Sequence, residues 1–199
     1  LGGKYVLVNI GYVGFLSSFT LGEFLADLKN ILDRKNSFIR LPILSIAGAD
    51  GQQFAINDIV FENDGKTRLL RLELHVDGSF YHSLRASGLV LSTATGSSAI
   101  CYSSGGPIVE VGLDLIVYKA ISPQFNCEPS VVFNGDHAFE VVNRNDFPII
   151  YTIDGIRTSS MKPGDRINVG LMKDATCNLV LFKDKNINDI LREKLFNKE

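Results

Sequence analysis

Arg68-Leu69-Leu70-Arg71-Leu72-Glu73-Leu74-His75-Val76 alternates apolar and polar side chains along most of its length. Successive side chains of an extended chain point to opposite faces. Leu70, Leu72, Leu74 and Val76 therefore share one face, and Arg71, Glu73 and His75 the other. This is the pattern of an antiparallel strand buried on one side. Asp77-Gly78 follows at once, a strong short-range signal for a tight hairpin.

Working outward, further turn signals punctuate the chain at Asn63-Asp64-Gly65, Asn134-Gly135-Asp136, Asn143-Arg144-Asn145-Asp146 and Asp154-Gly155. Short β-rich runs lie between them, so residues 38–183 are predicted to form an antiparallel β domain. Upstream, Tyr5-Val6-Leu7-Val8-Asn9-Ile10 is an apolar run ended by Gly11, which suits a buried parallel strand. After a loop, Thr20 and Glu23 form a capping box. Leu21, Phe24, Leu25, Leu28, Ile31 and Leu32 then recur at helical spacing and predict one buried face. Residues 1–37 thus read as the remnant of an α/β domain. Downstream, Ile187, Ile190, Leu191 and Leu195 predict a closing helix over 184–199. The expected fold class is α/β plus all-β.

Composition narrows the function classes. Across 199 residues, Lys and Arg number 20 against 22 Asp and Glu, giving a formal charge of −2 without a basic block. Neither a nucleic-acid surface nor an anionic-membrane surface is expected. Cys101, Cys127 and Cys177 are widely spaced and odd in number, so they predict buried thiols rather than a disulfide framework or zinc ribbon. The apolar runs are too short to cross a bilayer, and no signal-peptide pattern opens the chain. A cytoplasmic protein is expected.

Two segments hold candidate chemistry. The first is Ser92-Thr93-Ala94-Thr95-Gly96-Ser97-Ser98-Ala99-Ile100-Cys101-Tyr102-Ser103-Ser104-Gly105-Gly106-Pro107, directly after the apolar Leu89-Val90-Leu91. Its hydroxyls and unhindered N–H groups suit a phosphate or ribose; the alternative is a structural Ser/Gly turn. The second is Phe54-Ala55-Ile56-Asn57-Asp58-Ile59-Val60-Phe61, where an amide and a carboxylate interrupt an apolar run. Buried polar groups need partners, supplied either by a ligand or by a bulge or turn of the strand itself.

Other chemistries are set aside. Val60 stands where a Walker A loop would need its first Gly before Gly65-Lys66-Thr67. His75, His82 and His137 lack metal-binding spacing and are expected to be structural. No G-x-S-x-G elbow occurs.

Five segments in register resemble the NAD kinase family. Val8-Asn9-Ile10-Gly11-Tyr12-Val13-Gly14-Phe15-Leu16 resembles V-N-x-G-x-x-G-F-L, and Ala55-Ile56-Asn57-Asp58 resembles A-L-N-E. Ser87-Gly88-Leu89-Val90-Leu91-Ser92-Thr93-Ala94-Thr95-Gly96-Ser97-Ser98-Ala99 resembles D-G-L-I-V-S-T-P-T-G-S-T-A. Gly105-Gly106-Pro107-Ile108 and Leu191-Arg192-Glu193-Lys194-Leu195 also have counterparts. Asp58 stands for the usual Glu, Ser87 for an Asp and Ile100 for a Tyr.

The resemblance implies a Rossmann-like first domain, a β-sandwich second domain, and a C-terminal helix returning to the first. It implies transfer of the ATP γ-phosphoryl group to the 2′-hydroxyl of the adenosine ribose of NAD, with Mg2+ or another divalent metal. Asn57 and Asp58 are expected to hold the adenosine half. Thr95, Ser98 and Ala99 are expected to line adenine and ribose, and Phe15 to pack near the base. Ser87, Ile100 and Ser103 belong to the same expected NAD site, which a neighbouring subunit of a homodimer or homotetramer would complete. Gly2 and Gly3 match the start of the family's G-G-D-G-T phosphate loop, but Lys4 follows where the catalytic Asp is expected. No catalytic base is therefore assigned. A further stretch of chain is expected between Gly3 and Lys4, because two adjacent parallel strands need a crossover of a dozen or more residues. The alternatives are a lipid kinase of the diacylglycerol or sphingosine type and a non-catalytic NAD-binding relative.

Overall fold

The computed structural model describes residues 4–10, 17, 19–49, 51–65, 68–125, 128–182, 189 and 192. They fall into two compact units. The first comprises residues 1–41, 110–112 and 175–199; the second comprises 42–109 and 113–174.

In chain order the strands are β1 (Lys4–Tyr5), β2 (Val8–Asn9), β3 (Phe19–Thr20), β4 (Phe38–Gly48), β5 (Gly51–Ala55), β6 (Asp58–Glu62) and β7 (Leu70–Val76). They continue as β8 (Ser79–Ser92), β9 (Leu115–Pro123), β10 (Val131–Asn134), β11 (Phe139–Asn143), β12 (Ile149–Ile153), β13 (Arg157–Met161) and β14 (Arg166–Val180). Helix α1 spans Leu21–Leu32. A 3-10 turn over Gly96–Ser98 leads into the short helix α2, Ile100–Ser103.

The second unit is antiparallel, as its alternating sequence predicts. Its strands run β13-β12-β6-β8-β7-β11-β14-β4-β5, and β9 joins the far end of β8 to β10. Leu70, Leu72 and Leu74 of β7 are buried while Arg71 is exposed, which matches the predicted faces. Asp77 and Gly78 both take positive φ, as the predicted tight hairpin between β7 and β8 requires. Residues from β4, β6, β7, β8, β9, β11, β12 and β14 share one apolar core, including Ile46, Phe61, Leu72, Leu89, Tyr118, Val141, Tyr151 and Val169. Ala55 of β5 and Met161 of β13, from the two ends of the strand order, enter the same core, which is consistent with the β-sandwich that the family resemblance implies.

The first unit departs from two expectations. The run from Tyr5 to Ile10 is not one buried strand. It divides into β1, parallel to the end of β14, and β2, parallel to β3. Val6 and Leu7 between them are unpaired, and Leu7 is 40% exposed. Nor do the apolar residues of α1 form a buried face: Leu25 is 61% and Leu32 72% exposed. The buried residue of this helix is Asp27. Its carboxylate accepts from the side-chain amides of Asn30 (2.6 Å) and Asn36 (2.7 Å), and Asn36 also donates to the Leu181 carbonyl. A polar anchor, rather than the leucine stripe, sets the side of α1 that faces inward. The closing helix predicted over 184–199 lies outside the described residues, apart from Asp189 and Arg192, which are helical and ion-paired at 3.4 Å.

The start of α1 is as predicted. The Thr20 hydroxyl accepts the Glu23 N–H (3.3 Å), and the Glu23 carboxylate accepts the Thr20 N–H (2.8 Å). Replacing Thr20 by Ala is expected to cost about 1 kcal/mol, and Thr20→Ser to retain most of that stability. Chemical denaturation followed by circular dichroism measures both, and equal midpoints for the two variants would contradict a role for the box.

Candidate functional site

Three segments of the second unit meet at one end of the sheet. Strand β6 lies between β12 and β8, with Asp58 opposite Ser92 and Ile59 opposite Ile153. This register brings together the β5–β6 turn at Ile56-Asn57, the loop after β8, and the Asp154-Gly155 turn between β12 and β13.

The β5–β6 turn has N–H and C=O groups that the sheet ladder does not satisfy. Asp154 takes the donors: its carboxylate accepts the N–H groups of Ile56 (2.9 Å), Asn57 (2.8 Å) and Asp58 (3.1 Å). Thr93 takes the acceptors. Its N–H reaches the Asn57 carbonyl (2.8 Å), and its hydroxyl reaches the Ile56 carbonyl (2.6 Å). The same hydroxyl accepts the Gly96 N–H at 3.2 Å. Gly96 packs so closely on the Asn57 backbone that a Cβ there would overlap the Asn57 carbonyl. Only glycine permits this approach.

With its backbone satisfied, the turn leaves its side chains available. Asn57, Asp58, Val60 and Glu62 line a cleft of about 370 Å³ together with Ala99, Ile100, Thr152, Asp154 and Gly155. The Asn57 carboxamide and the Asp58 carboxyl have no hydrogen-bond partner among the described residues. Burial first, and then the Asp154 carboxylate, push the Asp58 carboxyl up to about 7. A carboxyl poised there can accept a hydrogen bond from a ligand hydroxyl or, protonated, donate one.

The loop after β8 is mostly occupied with itself. Ser97 donates to the Ala94 carbonyl (2.6 Å) and accepts the Val109 N–H (2.9 Å). Ser98 bonds back to the Thr95 carbonyl and Ser103 to the Ile100 carbonyl. Thr95 is 3% exposed, yet its hydroxyl has no partner among the described residues, an orphan that a ligand could satisfy. Of the residues expected at the NAD site, Asn57, Asp58, Ala99 and Ile100 share the cleft wall. Ser87 sits exposed on β8, five residues before Ser92, and outside that wall. Gly2, Gly3 and Phe15 lie outside the described residues.

Asp154 was not singled out by sequence reasoning. Asp-Gly signals a turn, and the turn is there, but the carboxylate's second task involves residues nearly a hundred positions away. Cys101 is buried and free, as expected. Burial and then the Asp58 carboxyl push it up to about 11. Cys177 is buried and free, whereas Cys127 lies outside the described residues. The histidines pair with Glu73, Glu128 and Asp77, in keeping with structural roles. No group of three His, Cys, Asp or Glu side chains that could hold a metal occurs among the described residues. No described helix is long and apolar enough to cross a membrane.

The family model for the ATP-NAD kinase C-terminal domain matches residues 56–176, the span that contains all three converging segments. The chain belongs to the NAD kinase family. Similar curated members of this family include the NAD kinase of Clostridium beijerinckii, 28% identical over 96% of this chain and 68% of the relative. The NAD kinase of Pseudomonas fluorescens is 32% identical over 94% of this chain and 66% of the relative. This chain thus spans about two thirds of the length of such relatives. An Archaeoglobus fulgidus NAD kinase solved with ATP superposes with a TM-score of 0.78 at 25% identity, covering 94% of this chain and 71% of the other. Yeast NADH kinase solved with NADH gives a TM-score of 0.87 at 24% identity, over 98% and 60% of the two chains, and shares the fold.

The elevated Asp58 pKa has a consequence for stability. Folding raises it from 3.8, so the neutral carboxyl's contribution is complete below about pH 4 and is lost as pH rises through about 7. Asp58→Asn cannot ionise. Between pH 4 and pH 8 the stability difference is expected to shift in the variant's favour by up to about 4 kcal/mol. Urea unfolding at several pH values is the measurement, and a constant difference would mean that Asp58 titrates as an ordinary carboxyl.

Proposed function

We propose that the protein containing this chain is an NAD kinase that transfers the ATP γ-phosphoryl group to the 2′-hydroxyl of the adenosine ribose of NAD. The observation that carries this reading is the Asn57 carboxamide, unpaired among the described residues, beside the Asp58 carboxyl in the cleft wall. An amide that both donates and accepts, next to a carboxyl, is chemically suited to the edge of a base and the hydroxyls of a ribose. The orphaned Thr95 hydroxyl supports a third contact.

Phosphoryl transfer asks a protein chiefly to position the acceptor and neutralise charge. In this reading Asn57 and Asp58 fix the adenosine end, and Ala99 and Ile100 supply the apolar wall against which it rests. Ser98, Ser103, Ser87 and Phe15 belong to the wider NAD surface by family resemblance, with Gly2 and Gly3 at the donor's phosphates. In this reading a divalent metal accompanies the donor's phosphates. The lipid-kinase alternative is not favoured, since the matching family is defined by NAD. We place the enzyme in the cytoplasm and propose a homodimer or homotetramer.

Asn57→Ala is expected to weaken NAD binding by about 1–3 kcal/mol. Isothermal titration of the folded variant measures this, and unchanged affinity would remove Asn57 from the site. Conversion of NAD to NADP with ATP, absent with diacylglycerol as acceptor, tests the reaction itself. Light scattering in the presence of NAD is expected to give a mass above that of the monomer, and a monomer at micromolar concentration would contradict the assembly.

A further inference from the structure

The Asp154-Gly155 turn is better equipped than its hairpin requires. Asp154 has φ 49° and Gly155 φ 66°, and the Ile156 N–H closes the turn on the Ile153 carbonyl at 3.0 Å. Positive φ at these two positions is all that such a hairpin demands, and Asn or Gly meets the demand as well as Asp. The carboxylate is needed for something else. Three donors converge on it, from Ile56, Asn57 and Asp58, at 2.9, 2.8 and 3.1 Å. One Asp154 oxygen takes Ile56, and the other takes both Asn57 and Asp58. In return the Asp154 N–H donates to the Asp58 carbonyl at 3.0 Å. An amide side chain offers one acceptor oxygen and would turn an NH2 group toward an N–H.

We infer that Asp154 is a positioning residue for nucleotide binding: by accepting three successive amide N–H groups it fixes the backbone from which Asn57 and Asp58 enter the cleft. The inference rests on the proposed function, in which those two side chains hold NAD. Asp154 also lines the cleft itself, so its charge faces the same space. The Asp154 carboxylate opposes ionisation of Asp58, a cost that folding alone does not explain. The groups facing Asp58 are Asp154 from the β12–β13 turn, Cys101 from α2, and Glu62 from its own strand. Lys119 of β9 acts on Cys101 in the opposite sense to Asp58.

The test compares Asp154→Asn and Asp154→Gly in the full chain. Both residues accept positive φ, so neither strains the turn. Asp165→Asn serves as a control, because Asp165 accepts the Lys162 N–H at 2.8 Å in another turn and lies outside the cleft wall. Isothermal titration with NAD across pH 5.5–8.5 is the readout, alongside amide hydrogen exchange. Both Asp154 variants are expected to raise the Kd for NAD roughly tenfold or more. The control is expected to leave it unchanged. Asn57 and Asp58 amides should exchange faster in the Asp154 variants. In Asp154→Asn the midpoint of the pH dependence of NAD affinity should move to lower pH, because a neighbouring negative charge is gone. The Asp165→Asn control should move neither that midpoint nor the exchange of the Asn57 and Asp58 amides. NAD affinity equal to wild type in both variants, while Asn57→Ala still weakens binding, overturns the positioning role and leaves the proposed function intact. Wild-type protein that fails to bind NAD, or binds it regardless of Asn57, overturns the functional reading and the inference with it.

Discussion

Where the chain turns from β5 into β6, the N–H groups of Ile56, Asn57 and Asp58 leave the sheet and must be paired elsewhere. An unpaired buried N–H costs about as much as a lost hydrogen bond, and three in succession would make the turn untenable. A single carboxylate, from Asp154, solves this from one side, and Thr93 holds the matching carbonyls from the other. The candidate site is what remains once those obligations are met. Its side chains are free for a ligand because its backbone is fully occupied.

The sheet makes this convergence possible. β12, β6 and β8 are neighbours, so residues near 58, 92 and 153 lie at the same level although the chain separates them widely. The core beneath, with Ile59, Phe61, Leu89, Leu91, Tyr151 and Ile153 all nearly inaccessible, keeps these strands in one register. A slip by one residue would move each of these side chains to the opposite face of its strand and out of this core. Binding geometry and core packing are therefore set by the same pairings. Positioning a ribose hydroxyl for phosphoryl transfer asks for just such a fixed frame.

The sequence reading succeeded where a local rule carries the information. Alternation of Leu70, Leu72 and Leu74 gave β7, Asp77-Gly78 gave its hairpin, and Thr20 with Glu23 gave the start of α1. The Asn57-Asp58 pair was conspicuous because two polar residues interrupt an apolar run. Other features depend on partners that the local sequence does not name. Asp154 satisfies the turn rule so well that nothing marks its carboxylate as having distant donors. The leucines of α1 follow helical spacing, yet Asp27 decides which side faces inward through Asn36 and the Leu181 carbonyl. Ser97 looks like a ligand hydroxyl in a Ser-rich loop, but it is used up bracing Val109.

The contact between Gly96 and the Asn57 carbonyl bears on how this cleft can evolve. With no clearance for even a methyl group, the loop and the turn are packed backbone to backbone. Variation cannot enter there without separating Asn57 from Thr93. It can enter at Ala99 and Ile100, which stand on the exposed rim of the same loop and carry no backbone obligation to the turn. Relatives that share the anchored floor are thus free to diverge at the rim. Ligand preference can drift by exchange of rim side chains while the frame that presents the adenosine contacts stays unchanged.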